Sequence, residues 1–127
     1  MVVCCAGVGY EGPLLQCSHS EVDQLCLVNI LHPVYLTRVA LDFLRKRNQK
    51  SLILTVSSLM AFMPIGGFSG YCSSKALIDS FSSALATELS FDAQATSKVQ
   101  VLCYSPSMVS TKLNGAAYTP FLVPSPD

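Results

Sequence analysis

The sequence predicts an α/β fold: a partial, doubly wound parallel sheet in the order strand, helix, strand, helix, strand. Three apolar runs, Val2–Ala6, Ser51–Ser57 and Val99–Tyr104, have the length and β-branched content of strands. Two longer amphipathic stretches, about Glu21–Arg47 and Tyr71–Phe91, separate them. Strands joined through helices of that length become parallel neighbours by right-handed crossovers.

Taken in order, Val2–Ala6 ends at Gly7 and reads as a buried strand followed by a turn. Gly7 to Ser20 is a loop rich in Gly, Pro and Ser. Ser20 is placed to cap the first helix, with Asp23 in the capping-box position. Leu25, Val28, Leu31, Leu36, Val39, Ala40 and Phe43 supply that helix's apolar positions. Arg45-Lys46-Arg47 near its end suits the helix dipole. The continuous run Ser51–Ser57 predicts a strand covered on both faces. Ser58 to Gly70 is a loop, and Ala76, Phe81, Ala84, Leu85 and Leu89 mark the core side of the second helix. Asp92–Lys98 is a polar turn, and Asn114–Asp127 is a proline-bearing tail.

The bulk numbers bound the function. The chain has 127 residues, enough for one modest domain, and half of them are hydrophobic. Net charge is zero, with no basic stripe or polybasic run, so neither nucleic acid nor a membrane surface is expected as partner. No apolar stretch reaches the ~20 residues of a membrane span, so none is expected in this chain. The start, Met1–Gly7, has no basic lead-in and does not read as a signal peptide. The six cysteines, Cys4, Cys5, Cys17, Cys26, Cys72 and Cys103, form no C-x-x-C pair, and no His pair stands at metal spacing. Buried, reduced thiols in an intracellular setting, and no metal, are the expectation.

In a sheet of this kind, ligands bind beyond the carboxyl ends of the strands. Gly7, Ser57-Ser58 and Pro106–Thr111 all fall there. Tyr71 and Lys75 stand at i and i+4, on one helix face, and Ser58 lies thirteen residues before the tyrosine. An ammonium beside a phenol favours the phenolate and is expected to lower the Tyr71 pKa. A phenol so placed exchanges a proton with a carbonyl or alcohol oxygen, and a serine hydroxyl holds that oxygen. The hydride of such a reaction comes from a cofactor. Pro33, four residues after Asn29, has no N–H, so the Asn29 carbonyl loses its helical partner and a kink is expected.

These residues resemble the short-chain dehydrogenase/reductase family over nearly the whole chain. The family's Tyr-x-x-x-Lys is Tyr71 and Lys75, its serine matches Ser58, and its helix asparagine matches Asn29 in Val28-Asn29-Ile30. Val56-Ser57-Ser58, Ser105–Leu113 and Phe121–Pro126 look most like very-long-chain 3-oxoacyl-CoA reductases and 17β-hydroxysteroid dehydrogenases. The resemblance implies a Rossmann-like sheet. It implies Tyr71 as acid and base, Lys75 as its electrostatic partner and ribose contact, Ser58 as substrate contact, and Asn29 as anchor of a proton-relay water. Ala6, Gly7 and Thr111 would join Tyr71 and Lys75 against the cofactor, NADP(H) with NAD(H) as alternative. A local cap is the rival reading of Thr111. The implied substrate is a lipid or steroid ketone, the implied location the endoplasmic reticulum, and the two long helices a homodimer surface.

The chain departs from the family in three places. No T-G-x-x-x-G-x-G turn, which cradles the cofactor pyrophosphate, occurs in the sequence. The family's Asn-Asn-Ala-Gly reads Cys4-Cys5-Ala6-Gly7, and the Pro-Gly after the last strand reads Pro106-Ser107. The expectation is a single partial domain over 1–127, the catalytic half without the dinucleotide-binding half. Two functions follow: a ketone–alcohol oxidoreductase, or a non-catalytic module that pairs helices with a relative.

Overall fold

The structure, a computed structural model, describes residues 1–92 and 98–107. Its three strands, β1 (Val2–Cys4), β2 (Ser51–Val56) and β3 (Val99–Tyr104), form one parallel sheet in the order β1-β2-β3. Cys4 lies opposite Thr55, and Thr55 opposite Cys103, so the three strands reach their carboxyl ends at the same level. The α/β, Rossmann-like fold expected from the sequence is what forms.

Helix α1 (His19–Leu44) crosses from β1 to β2, and α2 (Ser69–Phe91) from β2 to β3. Both contribute to one core: Leu44 of α1 and Leu85 and Leu89 of α2 enclose Ile53 of β2 and Val99 of β3. β2 alternates, with Ser51, Ile53 and Thr55 buried under the helices and Leu52, Leu54 and Val56 half-buried on the other side. Thr55 and Ser82 tie sheet to helix through a 2.7 Å hydroxyl contact. Among the described residues the helices cover one sheet face, not both as the apolar run of β2 suggested. The open face exposes Leu102 (55%) and Tyr104 (58%).

Helix α1 starts earlier than the sequence reading placed it. Its cap is Ser18, not Ser20: the Ser18 side chain accepts from the Glu21 N–H, and Glu21 reaches back to the Ser18 N–H at 2.8 Å. The Ser18–Glu21 pair is a complete capping box, which the Ser20–Asp23 alternative lacks. From Leu25 to Leu31 the helix widens into a π turn before Pro33. The expected kink therefore takes the form of a wide turn, a device frequent at functional sites. The buried line along α1 is Leu25, Asn29, Pro33, Thr37 and Leu44, whereas Leu31, Val39 and Phe43, expected inside, are exposed. By length and composition alone α1 is apolar enough to cross a membrane, against the expectation that no stretch of the chain is. Its buried Asn29 is hydrogen-bonded within the fold, and its Arg38–Asp42 pair lies on an exposed face.

Helix α2 begins at Ser69, two residues before Tyr71, and ends at Phe91 as expected. Gly67, with φ +83, turns the chain into it, and the Gly67 carbonyl accepts from the Gly12 N–H at 2.9 Å. That contact draws the loop after β1 against the start of α2. All six cysteines are free thiols; Cys4 and Cys72 are buried, but Cys5 and Cys26 are exposed, contrary to a uniformly buried set.

Candidate active site

The site is built where β1 and β2 end and α2 begins. The ladder continues past β2: the Ser57 N–H donates to the Tyr104 carbonyl at 2.8 Å, and the Leu59 N–H to the Pro106 carbonyl at 2.9 Å. This holds Ser58 at the sheet edge, 9% exposed and in extended backbone, as cap of the short 3₁₀ turn Leu59–Ala61. Its Oγ accepts from the Met60 N–H at 3.2 Å, and its hydroxyl lies near enough to the Tyr71 phenol to favour the phenolate. Tyr71 sits on the first turn of α2 and is half-buried.

Lys75, one turn further, is 5% exposed, and its Nζ donates to the Val56 carbonyl at 3.0 Å. The same Nζ stands 5.6 Å from the centre of the Tyr71 ring. Burial pulls the Lys75 pKa below its ordinary 10.5, partly offset by the Cys5 and Cys103 thiols facing it. Burial also pushes Tyr71 above its ordinary 10.0; the Ser58 hydroxyl works against this, and Cys72 adds to it. The expected lowering of Tyr71 by Lys75 is thus corrected. The ammonium is turned to the Val56 carbonyl, and desolvation of the phenol dominates.

Asn29, 2% exposed, is held on three bonds. The Val8 N–H donates to its Oδ1 at 2.9 Å, and its Nδ2 donates to the Val8 carbonyl at 2.9 Å and to Ser74 Oγ at 3.0 Å. Gly7 lies between Asn29 and Lys75: a Cβ there would meet Lys75 Nζ at 3.4 Å and Asn29 Oδ1 at 3.6 Å. A side chain at this position would crowd the space between the amide and the ammonium. Ala6 is exposed on the same loop.

Tyr71, Lys75, Ser58, Asn29 and Gly7 therefore lie at one edge: Tyr71, Lys75 and Ser58 were expected there from spacing, Gly7 from strand order, and Asn29 from the resemblance. Thr111 lies outside the described residues. Sequence reasoning passed over two participants, the Val8 backbone and Ser74; Ser57, read as structural, donates its Oγ to the Lys75 carbonyl at 2.8 Å. The signal was slight. Serines inside a helix or at a strand end commonly bond locally, and only the fold shows where these bonds go. An apolar cavity of about 240 Å³, lined by Tyr10, Leu14, Leu25, Ile30, Ser74 and Leu77, lies on another face of α2; Tyr71, Lys75 and Ser58 do not border it.

Residues 1–120 match the family described as short chain dehydrogenase. The chain belongs to the short chain dehydrogenase family. It is 32% identical over 114 residues to a very-long-chain 3-oxoacyl-CoA reductase of Neurospora crassa, covering 90% of this chain and 32% of the relative. It is 28% identical over 105 residues to human dehydrogenase/reductase SDR family member 4, covering 83% and 36%. A solved 3-ketoacyl-(acyl-carrier-protein) reductase from Brucella melitensis, complexed with NADH, superposes with TM-score 0.79 at 27% identity, covering 87% of this chain and 45% of that one. The chain thus spans about a third of the length of these curated relatives.

Proposed function

We propose that this chain carries the catalytic half of a nicotinamide-dependent oxidoreductase that interconverts a ketone and a secondary alcohol. The observation that carries the reading is the convergence of the Tyr71 phenol, the Ser58 hydroxyl and the Lys75 ammonium at the carboxyl edge of a parallel sheet. When bound, the cofactor supplies or accepts the hydride. Tyr71, kept protonated at neutral pH by its raised pKa, donates a proton to the substrate oxygen in reduction. Ser58 orients that oxygen. Lys75, with only one of its three N–H donors in a described hydrogen bond, fits the cofactor ribose. Gly7 leaves the approach to that ammonium open. Asn29 holds the loop after β1 in place and anchors the relay towards Lys75.

The finer reading is NADP(H)-dependent reduction of a 3-oxoacyl-CoA in fatty acid elongation, or of a 17-keto steroid, at the endoplasmic reticulum. What supports it is the likeness to the Neurospora reductase together with the short sequence strings named above. The test is oxidation of NADPH and of NADH by the native protein, with 3-oxoacyl-CoA and steroid ketones, beside the Tyr71→Phe variant. Turnover is expected to fall about 10²–10⁴-fold in the variant. Equal turnover in both proteins sinks the assignment of Tyr71.

One observation favours a second reading, helix pairing. Leu27, Leu31, Tyr35, Val39 and Phe43 recur every fourth residue along α1 and are all exposed. An apolar ridge of this kind suits a matching helix on a second copy or a longer relative. In that case Tyr71→Phe leaves the behaviour of the chain unchanged, and polar substitution on the ridge abolishes association.

A further inference from the structure

We propose that Ser74 is a positioning residue, which locks the Asn29 carboxamide to the turn that carries Tyr71 and Lys75. The proposal rests on reading Tyr71 and Lys75 as the reacting pair.

Ser74 is 2% exposed and lies between the two catalytic elements. Its Oγ donates to the Tyr71 carbonyl at 2.7 Å and accepts from Asn29 Nδ2 at 3.0 Å. The hydroxyl has one proton, and that proton is committed to Tyr71. Its lone pair therefore faces α1, and the chain of donors runs Asn29 to Ser74 to Tyr71. Asn29 in turn has both amide protons engaged, on Val8 and on Ser74. Without Ser74 one of these protons loses its partner at a buried amide, and the carboxamide must tilt to find another.

That tilt reaches Lys75. Asn29 Oδ1 and Lys75 Nζ flank the same point above Gly7, so the negative end of the amide dipole lies on the side of the ammonium. The other titratable groups facing Lys75 are Cys5 beyond β1, Cys103 of β3, and Tyr71 on its own helix. Ser74 makes no described hydrogen bond to either thiol or to the Tyr71 phenol; its influence on Lys75 passes through Asn29 and the Tyr71 carbonyl.

Ser82 provides an internal control. It makes the same kind of bond to its own helix, 2.7 Å to the Ile78 carbonyl, and contacts Thr55 of the sheet. It is equally buried but two turns further along α2. A merely structural serine would behave alike at either position.

The experiment is NMR on the full chain, with lysine labelled at Cε and asparagine at the side-chain nitrogen. Lys75 is assigned by its loss in Lys75→Arg. In Ser74→Ala the Asn29 carboxamide protons are expected to exchange about fivefold faster or more, and the Lys75 titration to move to lower pH. Ser82→Ala is expected to leave both signals where they are. Ser74→Thr should restore them, since the adjoining cavity has room for the added methyl. Should Ser74→Ala fail to fold, Ser74→Cys, which keeps the volume and weakens both bonds, is expected to show the same shifts in smaller size. Unchanged Asn29 exchange and Lys75 titration in the alanine or cysteine variant, or equal changes in Ser82→Ala, overturn the proposal. If these signals move as expected while Tyr71→Phe leaves turnover intact, the coupling stands and the oxidoreductase reading fails.

Discussion

Lys75 is an ammonium placed where water is nearly absent, and the cost shows in its titration. Its pKa in the folded chain lies below the ordinary 10.5, because burial disfavours the charged form. At pH below the folded value both states are protonated, and the burial penalty is fully present. As pH climbs towards 10.5 the folded chain sheds this proton first, the unfolded chain binds more protons, and the Lys75 contribution to stability rises. Lys75→Met keeps the stem and removes the charge. The stability of this variant relative to the parent is therefore expected to decline as pH rises to 10.5, in urea unfolding over a pH series. A difference that is flat with pH contradicts the burial account. Cys4, which burial also raises, is common to both proteins and cancels in the comparison.

Along α1, local and distant forces meet in one element. Its start is decided locally by the capping box of Ser18 and Glu21. Ser18→Ala is expected to cost about 1 kcal/mol, and Ser20→Ala less than about 0.5 kcal/mol, in denaturant midpoints. Equal losses would mean that the cap is not where the hydrogen bonds place it. The middle of α1 is shaped by what it must hold. Pro33 denies the Asn29 carbonyl its usual partner, the helix widens, and Asn29 turns inward to the Val8 backbone and Ser74. Helix α2 is locked in a matching way. Ser57 donates to the Lys75 carbonyl from the strand side, and Ser74, which donates to the Tyr71 carbonyl within α2, accepts from Asn29 of α1. The Tyr71–Lys75 turn is thus tied to the end of β2 through Ser57 and to α1 through Ser74 and Asn29.

For the molecule as a whole, the sheet is finished on one face only among the described residues. Val3, Leu102 and Tyr104 are exposed on the other, and β1 and β3 each have a neighbour on one side. Apolar surface beside unpaired strand edges favours self-association. Leu102→Lys is expected to lower the average mass of the 127-residue chain in sedimentation velocity, with its unfolding midpoint changed by less than about 0.5 kcal/mol. An unchanged mass distribution would shift attention to the α1 ridge, where Tyr35→Glu makes the parallel test. The intact mass of the native protein, captured through the Tyr71 region, bears on both: a mass well above 13.6 kDa would mean that further polypeptide is present to meet these surfaces.

The strand and helix order, the parallel sheet, and the meeting of Tyr71, Lys75 and Ser58 were legible in the sequence, while Asn29 was pointed to by the family resemblance. Periodicity and the spacing of a few reactive side chains are local properties, and crossover chirality leaves little freedom in how such pieces connect. Other features needed the tertiary fold. Whether Leu31, Val39 and Phe43 lie inside or outside depends on which stripe of α1 meets the sheet, and an apolar residue carries no mark of its side. The cap at Ser18 is not among these: Ser18-x-x-Glu21 is a local capping-box spacing already present in the sequence, and the reading that chose Ser20 overlooked it. The direction of the Tyr71 pKa could not be had from the i, i+4 pairing with Lys75. It follows from how deeply the phenol is buried and where the ammonium points, and both are set by segments far apart in the chain. The bridge from Asn29 through Ser74 joins residues 45 positions apart, and only folding brings that donor and acceptor together.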